Sequence, residues 1–198
     1  MRKVLATALV AAVLVVLFAS AQGTAALWRA EGTINAGVVT TGVWGLLASS
    51  GGDKPVPNFE FASLDTSNMV PGQFVQAPLT LSNANAKPVT YDLAGLGPAI
   101  GAGQGPDSEF AHSISVRLTK IADPTACLAQ ETIGGNLEYQ GGIDSGATFI
   151  NGPRTLSAAG TAGEAEMFCV RVMVNANMSV SASGGQIQLV LNFAGAEQ

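Results

Sequence analysis

Residues 69–93 read MVPGQFVQAPLTLSNANAKPVTYDL. The pair Pro71-Gly72 opens this stretch as a turn. Val75, Ala77, Leu79 and Leu81 then alternate with Gln76, Pro78, Thr80 and Ser82. Asn83 to Pro88 breaks the run, and Val89, Tyr91 and Leu93 resume it. Strict alternation over four to eight residues is the signature of a strand with one buried face. The stretch is therefore turn, strand, turn, strand, and Pro78 inside it marks an edge position or a bulge.

The same period recurs along the chain. Ile114, Val116 and Leu118 share one face, as do Phe168, Val170, Val172 and Val174, and then Ile187, Leu189, Leu191 and Phe193. Gly51-Gly52, Gly134-Gly135-Asn136, Gly141-Gly142, Gly152-Pro153 and Gly184-Gly185 punctuate the intervals. No helical period of useful length follows residue 30. The glycine-rich stretch from Gly95 to Asp107 reads as a surface loop. It has no Lys-Ser or Lys-Thr pair and no helix opening after it, so a phosphate loop is not expected. Many short strands need two packed sheets to bury their inner faces, which predicts a single all-β sandwich with antiparallel sheets. A closed barrel is the alternative architecture.

Composition agrees. Of 198 residues, 24 are glycine and 9 proline, which suits strands and turns. Charged residues make up 12% and hydrophobic ones 47%, too apolar a balance for a disordered chain. Nine basic against 14 acidic residues give a net charge of −5, which excludes a basic nucleic-acid-binding face as the main feature.

Arg2 and Lys3 precede an uncharged run from Val4 to Ala21, and small residues follow. This is the pattern of a secretory signal helix, with an uncleaved anchor as the alternative. Two cleavage sites fit: Ala19 and Ala21, releasing Gln22, or Thr24 and Ala26, releasing Leu27. The second divides the chain into a signal peptide at 1–26 and one domain at 27–198. Losing Arg2 and Lys3 takes the net charge from −5 to −7. The membrane is then a partner only before cleavage.

Cys127 and Cys169 are the only thiols, and export would place them in an oxidising compartment, which predicts one disulfide. Cys169 alternates against Phe168 and Val170, so the bridge is expected on the outer face, near Pro124. The single histidine, His112, stands at the expected start of a strand and lacks a His-Glu-x-x-His partner set. No Gly-x-Ser-x-Gly elbow surrounds any serine. Asp107, Glu109, Glu164 and Glu166 read as a solvated acidic surface, with a weak calcium site as the alternative. No catalytic residue, metal or cofactor is expected. Asn177-Met178-Ser179 fits a glycosylation sequon that the bacterial look of the chain makes a chance match.

Two segments resemble the TasA/camelysin family of Gram-positive exported proteins, which carry an alternate, SipW-type signal peptide. One is Gly23 to Leu46, GTAALWRAEGTINAGVVTTGVWGL, matching at Gly23-Thr24, Ala25-Ala26, Trp28, Asn35 and Ala36-Gly37. The other is Met69 to Leu93, matching at Pro71, Gly72, Leu79, Leu81 and Asn83. The C-terminal GQIQLVLNFAGAEQ is a weaker match. The resemblance implies a jelly-roll β-sandwich, cleavage between Ala26 and Leu27, and a secreted, non-enzymatic subunit of a surface or biofilm-matrix fibre. It further implies that the new N-terminal segment, about 27–41, is donated as a strand to the next subunit. Trp28, Ile34, Val38 and Val39 are its apolar residues, and in a monomer the segment either folds back on its own sheet or stays loose. The expected partners are further copies of the chain or other matrix proteins. A secreted sandwich module binding a carbohydrate or protein is the alternative, and camelysin's description as a metalloprotease adds a remote third, which the single histidine disfavours.

Overall fold

The computed structural model describes residues 31–42, 45–100, 105–127 and 135–197. The signal segment, the Ala26/Leu27 junction, Trp28 and Trp44 lie outside the described residues. Among the described residues no helix is long and apolar enough to cross a membrane.

Among the described residues, eleven strands form two sheets. They are β1 (Gly32–Thr41), β2 (Leu46–Ser49), β3 (Asn58–Phe61), β4 (Thr66–Met69), β5 (Phe74–Asn83), β6 (Val89–Ile100), β7 (Ile114–Ile121), β8 (Asn136–Gly141), β9 (Arg154–Leu156), β10 (Ala165–Val174) and β11 (Gln186–Glu197). One sheet runs β3-β1-β11-β6-β9, with β4 also on β1; the other runs β2-β5-β10-β7-β8. The pairs β5·β10, β6·β11, β7·β10, β6·β9 and β7·β8 are all antiparallel. This is the wrapping of a jelly roll, in which a long antiparallel ribbon folds over into two sheets.

The alternating residues supply the core. Leu79, Leu81, Tyr91, Leu93, Val116, Leu118, Phe168, Val170, Val172, Leu189 and Leu191 are all buried in one cluster between the sheets. Phe149 stacks on Phe168 with centroids 5.7 Å apart, and the edge of Tyr91 meets Phe149 at 5.8 Å. Pro71-Gly72 forms the expected turn: Gly72 takes φ +85°, and the Gln73 amide donates to the Val70 carbonyl at 3.0 Å. Proline then glycine at the two central positions is the chemistry a type II turn requires. Asn83 organises the next turn. Its buried amide donates to the carbonyls of Lys87 and Ser157, while its Oδ1 accepts from the Asn85 amide. Pro78 lies beyond the end of β2, and its carbonyl accepts from the Ser50 hydroxyl on that side. Its ring nitrogen points the same way, so the ladder to β10 loses no donor.

Two expectations are corrected. The stretch from Gly95 to Ile100 is strand, not loop: β6 continues through it, pairing Leu96 with Leu191 and Gly97 with Val190. A short helix, α1 (Pro106–His112), follows, with Gly105 before it and Pro106 at its first position. Asp107 and Glu109 occupy its first turn, where carboxylates suit the helix dipole and repel a phosphate. His112 is therefore the exposed last residue of α1 and does not begin a strand.

Candidate functional site

The unusual feature of the fold is β1. Every jelly-roll pair is antiparallel, yet β1 runs parallel to β11, from Thr33 beside Gln186 to Thr41 beside Phe193. On its other side β1 pairs antiparallel with both β3 and β4, which act as one strand interrupted by a 3-10 turn at Ala62–Leu64. Strand β3–β4 is therefore antiparallel to β11, as the first and last strands of a jelly roll are. The N-terminal strand is wedged between them. Taking β1 away leaves two facing edges two strand spacings apart, about 9–10 Å, over a length of about 30 Å. Each would present unpaired backbone donors and acceptors.

The described part of the segment, from Glu31 onward, takes the first of its two expected monomer states and lies on its own sheet. Ile34 and Val39 point into the core and are fully buried. They are five residues apart, so strict alternation would send one of them outward. A register break between Asn35 and Val38 absorbs the extra residue and flips the phase. Val38 consequently faces outward and is only half-buried, which removes it from the set of inward anchors. Gly37, at the break, packs with its Cα against β11; an added Cβ would stand 3.2 Å from the Leu189 carbonyl. Hydrogen bonds fix both ends of β1. The Gly184 amide donates to the Glu31 carbonyl at 2.6 Å, and the Gly42 amide to the Phe193 carbonyl at 2.9 Å.

Helix α1 clamps the entrance. Phe110 is buried against Gly32, where no Cβ fits. Asp107 Oδ1 accepts from the Gln186 amide at 2.8 Å, at the start of β11. The slot and its occupant are both shaped by these contacts, and neither proline nor charge blocks the β11 side.

The predicted disulfide is present. Cys127 and Cys169 are bridged with Cα atoms 5.2 Å apart. Both are buried with Ile121 in a small cluster separate from the main core. The bridge therefore lies on the outer face of the β5-β10-β7 sheet, as alternation along β10 requires.

Glu166 corrects the reading of a solvated acidic face. It lies on the inner face of β10, and Arg154 grips it through Nε at 2.6 Å and Nη2 at 2.9 Å. Lys120 donates to it at 2.7 Å and Tyr91 at 2.8 Å. Arg154 Nη1 also donates to Glu138 at 2.9 Å, and Glu138 is fully buried. Glu138 reaches inward because a bulge interrupts the β7·β8 register beside it. Burial pushes the Glu166 carboxyl up, but the hydrogen bonds from Arg154, Lys120 and Tyr91 outweigh it and hold the pKa at about 2. Burial, then the Glu166 charge, pushes the Tyr91 phenol far above its usual value. A carboxylate and a phenol held in those states exchange no proton near neutrality, although Lys120 and Glu166 border an open cleft with Thr155 and Ser157. Glu164 stands apart in a turn, accepting from the Gly160 amide. Asp107 is committed to Gln186. Among the described residues, no three His, Cys, Asp or Glu side chains come together as a metal site.

The fold and slot define a jelly-roll sandwich completed by its own N-terminal strand. No protein-family model matches the chain, and no curated protein does. Among solved structures, the ASH/PapD-like domain of human CEP192 (PapD-like domain 7) is similar over 65% of this chain and 74% of that one. Identity is 9% and the TM-score 0.20, a distance at which the likeness carries no argument.

Proposed function

We propose that the protein is a secreted, non-enzymatic structural subunit that assembles into an extracellular or matrix fibre by exchanging β1 between copies. The observation that supports this most is the place of β1: the first strand among the described residues, parallel to β11, filling the gap between the first and last strands of a jelly roll. With residues 1–26 cleaved off, as this reading holds, β1 lies at the end of the chain and leaves such a slot without unthreading any other part of it. An identical strand from another copy restores the same contacts, so exchange costs little at equilibrium. Parallel pairing is slightly weaker per residue than antiparallel pairing, and the register break weakens the ladder further. The acceptor side offers main-chain hydrogen bonding along β11 and inner-face pockets for Ile34 and Val39, the two elements of strand addition. The disulfide supports an oxidising compartment.

Deleting residues 27–41 tests the proposal. The truncated chain should no longer polymerise by negative-stain microscopy, and a synthetic peptide of residues 27–41 should bind it and restore its stability. Polymerisation of the truncated chain equal to that of the full one would rule out strand exchange through β1.

A further inference from the structure

On the outer face of the second sheet one row of residues crosses four strands: Gln76, Arg171, Arg117 and Gln140, each directly opposite the next. Two guanidinium groups thus stand side by side on neighbouring strands. Like charges directly opposite each other destabilise a sheet. The chain has 14 acidic residues against 9 basic ones, so an acidic neighbour was readily available to this row.

Arg171 is held in place. Its Nε donates to Gln76 at 2.7 Å, and its guanidinium lies 4.2 Å from the centroid of the Phe74 ring. Burial and the charge of Arg117 both depress its pKa. Arg117 is different: its Nε is buried and has no hydrogen-bond partner. A buried charged donor without an acceptor is costly, and native structures rarely keep one without a reason. A cleft of about 90 Å³ opens beside it, lined by Ser115, Val116, Arg117, Gln140, Arg171 and Met173. That volume is ample for one oxyanion group beside the two guanidiniums.

We propose that Arg117 and Arg171, with the Gln140 amide, form a binding site for a single oxyanion: a carboxylate, sulfate or phosphate group. Two acceptor oxygens would satisfy Arg117 Nε and relieve the repulsion between the guanidiniums, as forked arginine recognition does. The site lies on the opposite sheet from the β1 slot and is independent of strand exchange.

The test is a titration of the full chain with sodium acetate, sulfate and phosphate against sodium chloride at matched ionic strength. The Arg117 Nε–H resonance is followed by NMR and the Tm by calorimetry. At least one oxyanion should move the Arg117 resonance saturably. It should also raise the Tm of the wild type by more than that of Arg117→Gln, which removes the general salt effect. Arg117→Lys, which keeps the charge and loses the fork, should bind several-fold more weakly. A response to acetate assigns the site to carboxylates, and a response to sulfate or phosphate alone assigns it to their esters. No saturable shift with any of the three, or an equal gain in Arg117→Gln, overturns the proposal.

Discussion

The ring of Phe110 occupies the space that a Cβ on Gly32 would need, so α1 and the first residue of β1 fit together only because residue 32 is glycine. The contact links helix α1 to the strand that fills the slot. Gly32→Ala should drive the start of β1 out of register or displace the ring. Overpacking of this kind costs about 1–3 kcal/mol. Hydrogen exchange should accelerate across residues 32–41 and less elsewhere, and Gly32→Ala/Phe110→Leu should recover part of the loss.

Arg154 neutralises two carboxylates that the sheets enclose, with side-chain exposures of 13% for Glu166 and 2% for Glu138. Arg154→Ala leaves both without their main cation. Breaking a buried pair from one side costs about 3–5 kcal/mol. Urea unfolding should show a midpoint loss of that order, larger than the loss for Lys120→Ala, whose side chain is 36% exposed.

Glu166 should give the fold an acid limb. Its folded pKa, about 2, is below the ordinary 4.5, so its contribution to stability is fully present above pH 4.5. It is lost as the pH falls from there towards 2, because the unfolded chain takes up the proton first. After allowance for solvent screening the amount is about 1–2 kcal/mol. Glu166→Gln should flatten this part of the stability profile while lowering stability at neutral pH.

The bridge between Cys127 and Cys169 closes a separation of 42 residues outside the main core. Replacing both cysteines with alanine should therefore lower the Tm and leave the fold. The chain-entropy estimate for the loss is about 4 kcal/mol at most. Near-native amide spectra with a lowered Tm are expected; a molten spectrum would show that the outer cluster is needed for the sandwich to form.

The sheets were legible because their inner faces alternate cleanly: Phe168 to Val174 and Ile187 to Phe193 place every second residue inward, as period two demands. Cys169 falls on the outer face by the same rule. The rule fails where phase slips. Ile34 and Val39 share a face only through a bulge, and Glu138 turns inward only beside another. The β1 break carries one sequence signal, the isolated Gly37, which does not by itself give the phase; the break beside Glu138 carries none. Gly95 to Ile100 looks like loop by composition, yet β11 offers it a ladder, and tertiary pairing overrides weak strand propensity. Helix α1 is too short for a period to show. The Glu138–Arg154–Glu166–Tyr91 cluster joins positions up to 75 residues apart, and only the crossing of the sheets brings them together. The parallel direction of β1 is likewise a property of topology, invisible in a single strand's pattern.

Strand exchange is tested most directly by two single-cysteine variants, Thr40→Cys and Asn192→Cys, whose positions face each other across β1 and β11. The two proteins are mixed, allowed to assemble and oxidised, and the linked peptides are mapped by mass spectrometry. Neighbouring strands place such residues within the Cα range that a disulfide needs, about 4.4–6.8 Å. The account predicts a disulfide between the two introduced thiols, joining position 40 of one chain to position 192 of another, in assembled material and none in mixed monomers. Assemblies that form without that bond, while a chain carrying both substitutions closes it internally, would contradict it.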